Sequence, residues 1–336
     1  MRILVIEPLG EIGHINFDKA YLKVLESIGE VTLMTFPRLH KYFNIKNRIE
    51  LPESFEEKSS NLLHRINQLK VLIYIQKHFP LTDFDAIIFF CYDEISFSLS
   101  WPNSNKTFLM EHNNIDSVNN SFIKKLFYNR IGNNIHHLVF ETYIKEYLTR
   151  NYKKKTHQIL HPHYYDNIDD LLLKHPVIPQ KGNPRKIIFS PSLNNDHRVM
   201  LELKNFVIAN DDYFFLAKNK YNEKTKNYRF EKYFDNYSDE LKNCSYVFIS
   251  ADYNYRVSGV LYDALSFGKK IVIKDCLFAR VIQKVYPNSI SIINNIDEFK
   301  LIPVSELAQH QERASLLENH SFGKLITQLK IILDEK

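Results

Sequence analysis

The sequence predicts an α/β protein of two domains, each built around a parallel sheet. At 336 residues, the chain is long enough for two domains that each bury their own core. Continuous apolar runs such as Arg2 to Ile6 and Lys186 to Phe189 are typical of strands buried on both faces of a parallel sheet. Segments with helical spacing follow these runs in both halves. This alternation fits two similar domains better than one large sheet.

Composition limits the class of protein further. The chain is 44% hydrophobic and 25% charged, as in globular proteins, and its net charge of +5 is too small to indicate a nucleic-acid partner. Its three cysteines are far apart and form no CxxC pair, so we expect reduced, buried thiols of a cytoplasmic protein. The start, MRILVIEP, reads as a strand rather than a signal peptide, and we expect no spanning helix.

The stretch Tyr246 to Asp275 carries the strongest functional signal. Its pattern predicts a strand, a polar loop, a helix and a second strand. Ser258 and Gly259 open the helix, and Gly268 lies where a helix end favours a residue with positive φ. The first turn of a helix has unpaired N–H groups and partial positive charge. The stretch therefore predicts a place where an anion can bind.

Side chains around this helix start suggest which anion binds. Arg256 offers a planar fork that matches phosphate oxygens, Ser258 can cap the helix or donate its hydroxyl, and Gly259 permits close approach. Asp263, one turn further on, can accept hydrogen bonds from the vicinal hydroxyls of a ribose. Together they predict a nucleoside diphosphate site. Individually they also fit a surface arginine, an ordinary N-cap and a solvated aspartate.

The same segment resembles the donor-binding motif of GT-B glycosyltransferases, especially the retaining group 1 or family 4 enzymes of bacterial polysaccharide synthesis. Asp263-Ala264 stands where that family has its second Glu-Ala, and Gly268 to Val272 matches the turn and strand that follow. Tyr255 replaces the family's first Glu, which leaves the stereochemistry open. The resemblance implies a GT-B fold, with two Rossmann-like domains whose parallel sheets face a central cleft.

Further candidate residues follow strands of the first domain. Gly13 and His14 lie in a loop that resembles the GT-B loop facing the cleft, although a loop glycine and a surface histidine fit equally well. Glu111 and His112 follow the predicted strand Lys106 to Met110, at the sheet edge where open α/β sheets bind ligands. His112 resembles the histidine that retaining GT-B enzymes place near the reacting sugar. We expect His112 and Glu111 to be catalytic.

Two segments combine basic and apolar residues. The predicted helix over Leu62 to Ile75 and the segment Phe122 to Ile131 have basic residues among apolar ones and no acidic residue. This pattern fits contact with an anionic membrane surface or a lipid-linked substrate. For the first segment we favour the alternative of a core-packing helix with a solvated basic face. Lys153 to Lys155 reads as a solvated turn.

The later part of the chain completes the domain prediction. Ile159 to Tyr165 resembles the hinge of the family, which places the acceptor-binding domain at 1–165 and the nucleotide-sugar domain at 180–319. The final segment, 320–336, is expected to form a helix that packs back on the first domain. The family's usual Gly-Arg and downstream Lys are missing, and Arg198 and Lys218 are the expected substitutes, with Ser190 and Ser192 also candidates.

The resemblance implies transfer of a sugar from a nucleotide-diphosphate donor to a glycan or lipid-linked acceptor, with no metal or other cofactor, in the cytoplasm or at the inner face of the membrane. An inverting enzyme would need a base. Candidates for that base are Glu111, His112, Asp93, Glu94, His14 and Asp18. The alternatives are a nucleotide-sugar epimerase of the same fold and a non-catalytic GT-B-like binding protein. Nucleic-acid binding is the least favoured reading.

Overall fold

A computed structural model describes residues 1–10, 14–56, 61–163, 185–192, 196–303 and 306–335. The chain forms two compact units. The first unit comprises Met1–Tyr164, Tyr255–Val257 and His320–Lys336, and the second comprises Tyr165–Asn254 and Ser258–Asn319. The C-terminal segment therefore belongs to the first unit.

The first unit contains a sheet surrounded by helices. Its strands are β1 (Arg2–Glu7), β2 (Glu30–Thr35), β3 (Asn47–Glu50), β4 (Ala86–Phe89), β5 (Thr107–Met110), β6 (His136–Val139) and β7 (Lys155–Gln158). Its helices are α1 (Ile15–Glu26), α2 (Pro37–His40), α3 (Asn61–His78), α4 (Glu94–Ser100), α5 (Asn114–Asn119), α6 (Phe122–Arg130) and α7 (Thr142–Tyr152), and the C-terminal helix α13 (Phe322–Asp334) also belongs here. Short 3₁₀ helices cover Glu53–Phe55 and Leu81–Asp83.

The strand order of the first sheet is β3-β2-β1-β4-β5-β6-β7, and its neighbouring strands pair in parallel. β4, β5 and β6 are buried along their whole length. The continuous apolar run of β4 predicts this burial, whereas β6 buries two histidines, His136 and His137. Helix α4 packs against both α3 and α6, and α13 packs against α1. The right-handed crossovers that are the rule for parallel strands would put α3, α4 and α6 on one face of the sheet and α1 on the other. The strand order reverses between β1 and β4.

The second unit is also a sheet with helices around it. Its strands are β8 (Lys186–Ser190), β9 (Tyr213–Lys218), β10 (Glu223–Lys224), β11 (Tyr228–Glu231), β12 (Tyr246–Ile249), β13 (Lys270–Lys274) and β14 (Ile290–Ile293). Its helices are α8 (His197–Ala209), α9 (Tyr237–Asn243), α10 (Gly259–Ser266), α11 (Leu277–Val285) and α12 (Glu306–Asn319), with a 3₁₀ helix at Ile296–Leu301.

The second sheet has the order β10-β11-β9-β8-β12-β13-β14 and is parallel except for the antiparallel β10–β11 pair at its edge. Its order from β11 to β14 is that of a Rossmann fold, and it reverses between β8 and β12. Aromatic side chains dominate the core on one face of this sheet, among them Phe206, Phe215, Tyr246, Phe248 and Phe299.

The strand, helix and strand predicted for Tyr246 to Asp275 are confirmed as β12, α10 and β13. Gly268 has φ of +64° directly after α10, which confirms the need for glycine there. The helix predicted over Leu62 to Ile75 is confirmed as α3, but it is not clearly amphipathic, because apolar side chains lie on its exposed face as well as on its buried one. Among the described residues the three cysteines form no disulfide, and all three are buried, as expected.

The prediction of a solvated turn at Lys153 to Lys155 is wrong for Lys154. Lys153 ends α7 in the left-handed conformation, with φ of 53°, and Lys154 is only 3% exposed. The Lys154 ammonium donates to the carbonyl of Ile131 at 2.6 Å and lies over the Tyr128 ring. These partners keep a lysine inside the unit, and desolvation still lowers its pKa to about 8.

Replacing Lys154 with methionine should remove a pH dependence of stability. Because the pKa of Lys154 is lower in the folded chain, the unfolded chain binds more protons between pH 8 and 10, and the folded protein gains stability as pH rises through this range. We expect the wild type to gain about 1 kcal/mol over Lys154→Met between roughly pH 7 and 9, in urea unfolding. Lys155→Met, at the exposed neighbouring position, is the control. An equal pH dependence in Lys154→Met and wild type would contradict this assignment.

Candidate functional site

The reversal of strand order in the first sheet brings two predicted loops together. Open α/β sheets bind ligands at such a point, outside the carboxyl ends of the strands. His14 precedes α1 after β1, Cys91 follows β4, and Nδ1 of His14 lies 3.0 Å from Sγ of Cys91. The predicted residue His14 therefore lies at the switch point of this sheet. Gly13 lies outside the described residues.

His112 lies beside this pair. Its ring centroid is 4.9 Å from that of His14, 4.1 Å from Phe17 and 5.3 Å from Phe140. Burial lowers the pKa of His112 well below its usual value, and repulsion from nearby cationic groups, Arg256 among them, adds to this. The imidazole is therefore neutral near pH 7. Among the described residues, its buried Nε2 has no hydrogen-bond partner, so this atom can bond to a ligand.

A third imidazole, which the sequence did not single out, completes the cluster. His161 is buried, and its ring lies 5.4 Å from Phe17 and 5.2 Å from Phe140. Its Nδ1 lies 2.7 Å from the carbonyl oxygen of Pro162, which fixes a proton on that nitrogen. Desolvation lowers the pKa of His161 to about 3. In the cluster of His14, His112 and His161, the last two thus pack against the same pair of phenylalanine rings, and His14 contacts His112.

Glu111 points into the unit rather than toward this cluster. Its Oε1 accepts hydrogen bonds from the hydroxyls of Tyr92 at 2.6 Å and Tyr128 at 3.0 Å. His137 Nδ1 lies 2.6 Å from the same oxygen, and both side chains are fully buried. The pKa values of Tyr92 and Tyr128 are raised, first by burial and then by this carboxylate. The geometry is that of a group that holds the end of β5, from which His112 projects.

Two of the other candidate bases are engaged in helix structure. Asp93 caps α4, where it accepts hydrogen bonds from the backbone N–H of Ser96 at 2.9 Å and from its hydroxyl at 2.7 Å. Glu94 forms an ion pair with Lys124 at 2.6 Å. Both contacts fix the position of the carboxylate.

Asp18 is a third candidate base, with a different environment. It is 1% exposed, and among the described residues neither of its oxygens has a hydrogen-bond partner. Burial, together with the charge of Glu7, raises the pKa of Asp18 well above its usual value. This environment favours a neutral carboxylic acid on α1.

The second sheet also brings side chains together where its order reverses, between β8 and β12. The N–H of Asp196, before α8, donates to the hydroxyl of Ser250, after β12, at 3.0 Å. The Asp196 carboxylate caps α8 and lies 3.0 Å from Nζ of Lys274 at the end of β13. Lys274 was not predicted as a site residue. Its position at the end of the apolar strand KIVIK is the feature of the sequence that could have identified it. This edge therefore holds an ion pair beside the start of α8.

The start of α10 forms the other side of this edge. Ser258 occupies the N-cap position and is 5% exposed, but its hydroxyl caps no backbone N–H of the helix. Gly259 is exposed as the first helical residue. The first-turn N–H groups of α10 are thus left without a side-chain cap, as an anion site requires.

Asp263 lies one turn further along α10. It is half-buried, and its Oδ2 accepts a hydrogen bond from the Tyr237 hydroxyl at 3.1 Å. Desolvation raises its pKa to about 6, and the bond from Tyr237 partly opposes this. Further hydroxyl donors would stabilise the charged form of a carboxylate in this environment. Tyr237, on α9, was not identified from the sequence.

Two other predicted donor residues, Tyr255 and Arg256, lie in the first unit. The N–H of Tyr255 donates to Asp116 Oδ1 at 2.7 Å, and its ring stacks on Tyr147 with centroids 3.7 Å apart. The position of the family's first Glu is therefore held by aromatic stacking. Arg256, half-buried beside Tyr255, is near enough to lower the pKa of His112. The structure thus groups Arg256 with His112, and Ser258, Gly259 and Asp263 with the second unit.

The two expected substitutes for the family's Gly-Arg and Lys lie in different environments. The Arg198 side chain is 87% exposed and pairs with Glu202 one turn along α8 at 3.1 Å. Lys218 ends β9, is half-buried, and its Nζ lies 5.7 Å from the centre of the Tyr233 ring. Desolvation lowers the pKa of Lys218.

No group of three or more His, Cys, Asp or Glu side chains within the described ranges could hold a metal ion. In the same part of the chain, no helix has the length and apolar character needed to cross a membrane.

Comparison with solved structures shows the fold. The structure is similar along 99% of this chain to a glycosyltransferase from Rickettsia africae, with 98% of that chain covered, 16% identity and a TM-score of 0.65. HepE from Anabaena, solved with UDP and glucose, matches over the full length of both chains with 10% identity and a TM-score of 0.67. WaaG, a glycosyltransferase involved in lipopolysaccharide biosynthesis, also matches over the full length of both chains, with 12% identity and a TM-score of 0.62.

Neither a protein-family model nor a curated protein matches the sequence of this chain. The fold evidence therefore comes from the two sheets and from the structural matches along the whole chain. Both agree with the predicted two-domain α/β architecture. The chain has the GT-B fold of glycosyltransferases.

Proposed function

We propose that the protein is a glycosyltransferase that moves a sugar from a nucleotide-diphosphate sugar to a glycan or lipid-linked acceptor. The observation that carries this proposal is the start of α10 in a GT-B fold, where first-turn N–H groups have no side-chain cap and Asp263 lies one turn away. That HepE was solved with UDP and glucose, and also with UDP-glucose, supports a donor of this class.

The second unit would bind the nucleotide. The helix start at Ser258 and Gly259 faces the carboxyl edge of the sheet, where its partial positive charge suits a diphosphate. Lys274, whose ammonium is paired with Asp196 at the same edge, is a further candidate for contact with a phosphate. Asp263 would accept hydrogen bonds from the ribose hydroxyls in place of solvent, which offsets the cost of its desolvation. Lys218 and Arg198 are further candidates for contact with the donor.

The first unit would supply groups for the sugar and the acceptor. His112 has a free, buried Nε2 and is neutral, so it can bond to a sugar hydroxyl without introducing a charge. His14 shares its cluster. We assign Glu111 to positioning, because three buried donors hold its carboxylate at the base of His112. Arg256, whose charge acts on His112, would stabilise the departing phosphate.

In the reaction, the bond between the sugar's anomeric carbon and the diphosphate oxygen breaks, and its electron pair leaves with the diphosphate. The acceptor hydroxyl forms the new bond to that carbon. In a retaining reaction the leaving phosphate takes the acceptor's proton. An inverting reaction needs a base, and His14 is our favoured candidate because it lies at the switch point of the first sheet, beside His112.

The setting that fits this activity is synthesis of a surface polysaccharide or another glycoconjugate by a cytoplasmic enzyme. The lipopolysaccharide role of WaaG supports such a pathway, since that protein matches this chain along its whole length. The acceptor would then be a growing glycan or a lipid-linked one.

The direct test is release of nucleotide from a panel of UDP-, GDP-, ADP- and TDP-sugars, with and without lipid-linked and soluble glycan acceptors. Transfer that requires an acceptor is the expected result. Conversion of a nucleotide sugar without an acceptor would instead assign an epimerase, and absence of both binding and turnover would assign a non-catalytic binding protein.

Substitutions at the two groups that face the donor should weaken turnover. Arg256→Ala removes a cation at the departing phosphate and Asp263→Ala removes the acceptor for ribose hydroxyls. Each should lower kcat/KM for the donor by about 10- to 100-fold. Lys226→Ala, which removes an exposed lysine paired with Asp211, should leave it unchanged. Turnover of either donor-site variant at the wild-type rate would refute the assignment.

Donor affinity should depend on the ionisation of Asp263. Since its pKa is about 6 in the free protein, its charged form increases as pH rises through that value. The apparent Kd for the donor should therefore fall about tenfold from roughly pH 5 to 7, by isothermal titration calorimetry. Asp263→Asn keeps a partner for Tyr237 but cannot ionise, so its Kd should be flat over this range. A parallel pH dependence in both proteins would assign the effect to another group.

The same pKa shift should appear in stability without any ligand. A carboxyl whose pKa is raised by folding stabilises the native state below its unfolded pKa, and this contribution is lost as pH rises through about 6. Near pH 7 we expect Asp263→Asn to be more stable than wild type by about 1–3 kcal/mol in urea unfolding, and to match it near pH 4. A less stable Asp263→Asn at neutral pH would show that the charged carboxylate is stabilised by the fold.

A further inference from the structure

Helix α6 exposes most of its apolar side chains. Phe122 is 82% exposed, Ile123 58% and Leu126 45%, while Tyr128 is the residue of this helix that is buried. Three large apolar side chains within five residues of one short helix form a contiguous apolar patch. Such patches on folded proteins mark contact surfaces.

A second exposed stripe lies on α3. Ile66 and Ile73 are 39% and 50% exposed, and Lys70 and Lys77 are exposed as well. Their spacing of four, three and four residues puts all four on one face of the helix. The opposite face packs inward through buried residues such as Val71 and Ile75. Helix α3 is therefore both a core helix and an exposed basic-apolar surface.

These two stripes belong to the same side of the first unit. Right-handed crossovers place α3, α4 and α6 on one face of the sheet, and α4 contacts both of the others. Leu99, on α4, is 55% exposed. We call this combined surface the α3–α6 surface. It consists of the exposed side chains of α6, of Leu99 on α4, and of the α3 stripe formed by Ile66, Lys70, Ile73 and Lys77.

The charge of the α3–α6 surface is positive. Lys125 and Arg130 are exposed on α6, and the stretches Lys58 to Thr82 and Ser117 to Phe140 contain no acidic residue. Lys124 contributes less, because its ammonium is paired with Glu94 and bonded to Ser117. Basic groups that flank exposed Phe, Ile and Leu side chains match a partner that is anionic at its surface and apolar beneath.

We propose that the α3–α6 surface docks on an anionic lipid bilayer. Phe122, Ile123 and Leu126 enter the boundary between headgroups and acyl chains, and Lys125 and Arg130 lie among the headgroup phosphates. The apolar side chains then leave water, which favours binding, and the basic ones gain from the negative surface potential. This docking does not depend on glycosyl transfer, but it would bring the proposed enzyme to a lipid-linked acceptor.

Vesicle co-sedimentation of the full chain tests the proposal. The wild type should pellet with vesicles of an equal mixture of phosphatidylglycerol and phosphatidylcholine, and much less with phosphatidylcholine alone. The triple change Phe122→Ser, Ile123→Ser and Leu126→Ser should weaken binding about tenfold or more, because partial burial of the three side chains is lost. The double change Lys125→Gln and Arg130→Gln should remove most of the dependence on phosphatidylglycerol and on salt.

The matched control uses exposed apolar residues elsewhere. Leu201 and Ile208 on α8 are 51% and 52% exposed, so Leu201→Ser with Ile208→Ser removes similar side chains outside the α3–α6 surface. This variant should bind vesicles like the wild type. Circular dichroism and thermal unfolding check that each variant is folded.

Two results would overturn the proposal. One is vesicle binding by the folded α6 triple variant that equals that of the wild type. The other is a wild-type protein that does not bind vesicles but forms a dimer in sedimentation velocity, together with loss of that dimer in the triple variant. The surface would then bind a second copy of the chain. Loss of vesicle binding with donor turnover intact on a soluble acceptor would support docking and leave the proposed function standing.

Discussion

The reversal of strand order within each parallel sheet is the constraint on which the rest of this structure depends. At that point the loops after two adjacent strands diverge to opposite faces and leave a crevice at the carboxyl edge. In the first unit this crevice contains the contact between His14 and Cys91, and in the second it contains the hydrogen bond from the Asp196 N–H to the Ser250 hydroxyl. Helices begin at the same edge, so their unpaired N–H groups and positive ends meet there. Topology thus provides, at each of these edges, a crevice with helix N-termini that suits an anion, before any single side chain is considered.

Burial then decides what the polar groups at these edges can do. In the first unit, desolvation keeps His112 neutral, while three donors hold Glu111 in a fully buried network directly before it in the chain. A neutral imidazole with an open nitrogen can recognise a hydroxyl, whereas a carboxylate with its donors in place is better suited to hold the strand end. In the second unit, the same effect raises the pKa of Asp263 to about 6, so its ionisation can respond to a ligand.

Much of the fold was accessible from sequence, because buried parallel strands are continuous apolar runs and helices repeat their apolar residues every three or four positions. The motif around Ser258 and Gly259 was accessible for the same reason, since local spacing defines a helix start. Contacts between residues that are distant in sequence could not be predicted from it. The bond from Tyr237 to Asp263, the pairing of Lys274 with Asp196, and the burial of Lys154 each depend on tertiary packing that has no local pattern.

The most direct test of this account is amide hydrogen exchange, measured by mass spectrometry with and without a saturating nucleotide sugar from the panel. A donor diphosphate at the start of α10 would accept hydrogen bonds from its first-turn N–H groups, so the account predicts slower exchange in the peptide that spans Ser258 to Asp263. Slower exchange should also appear near Lys274, at the same sheet edge. Unchanged exchange at α10 with a nucleotide sugar that demonstrably binds would contradict the account, since the donor would then lie elsewhere.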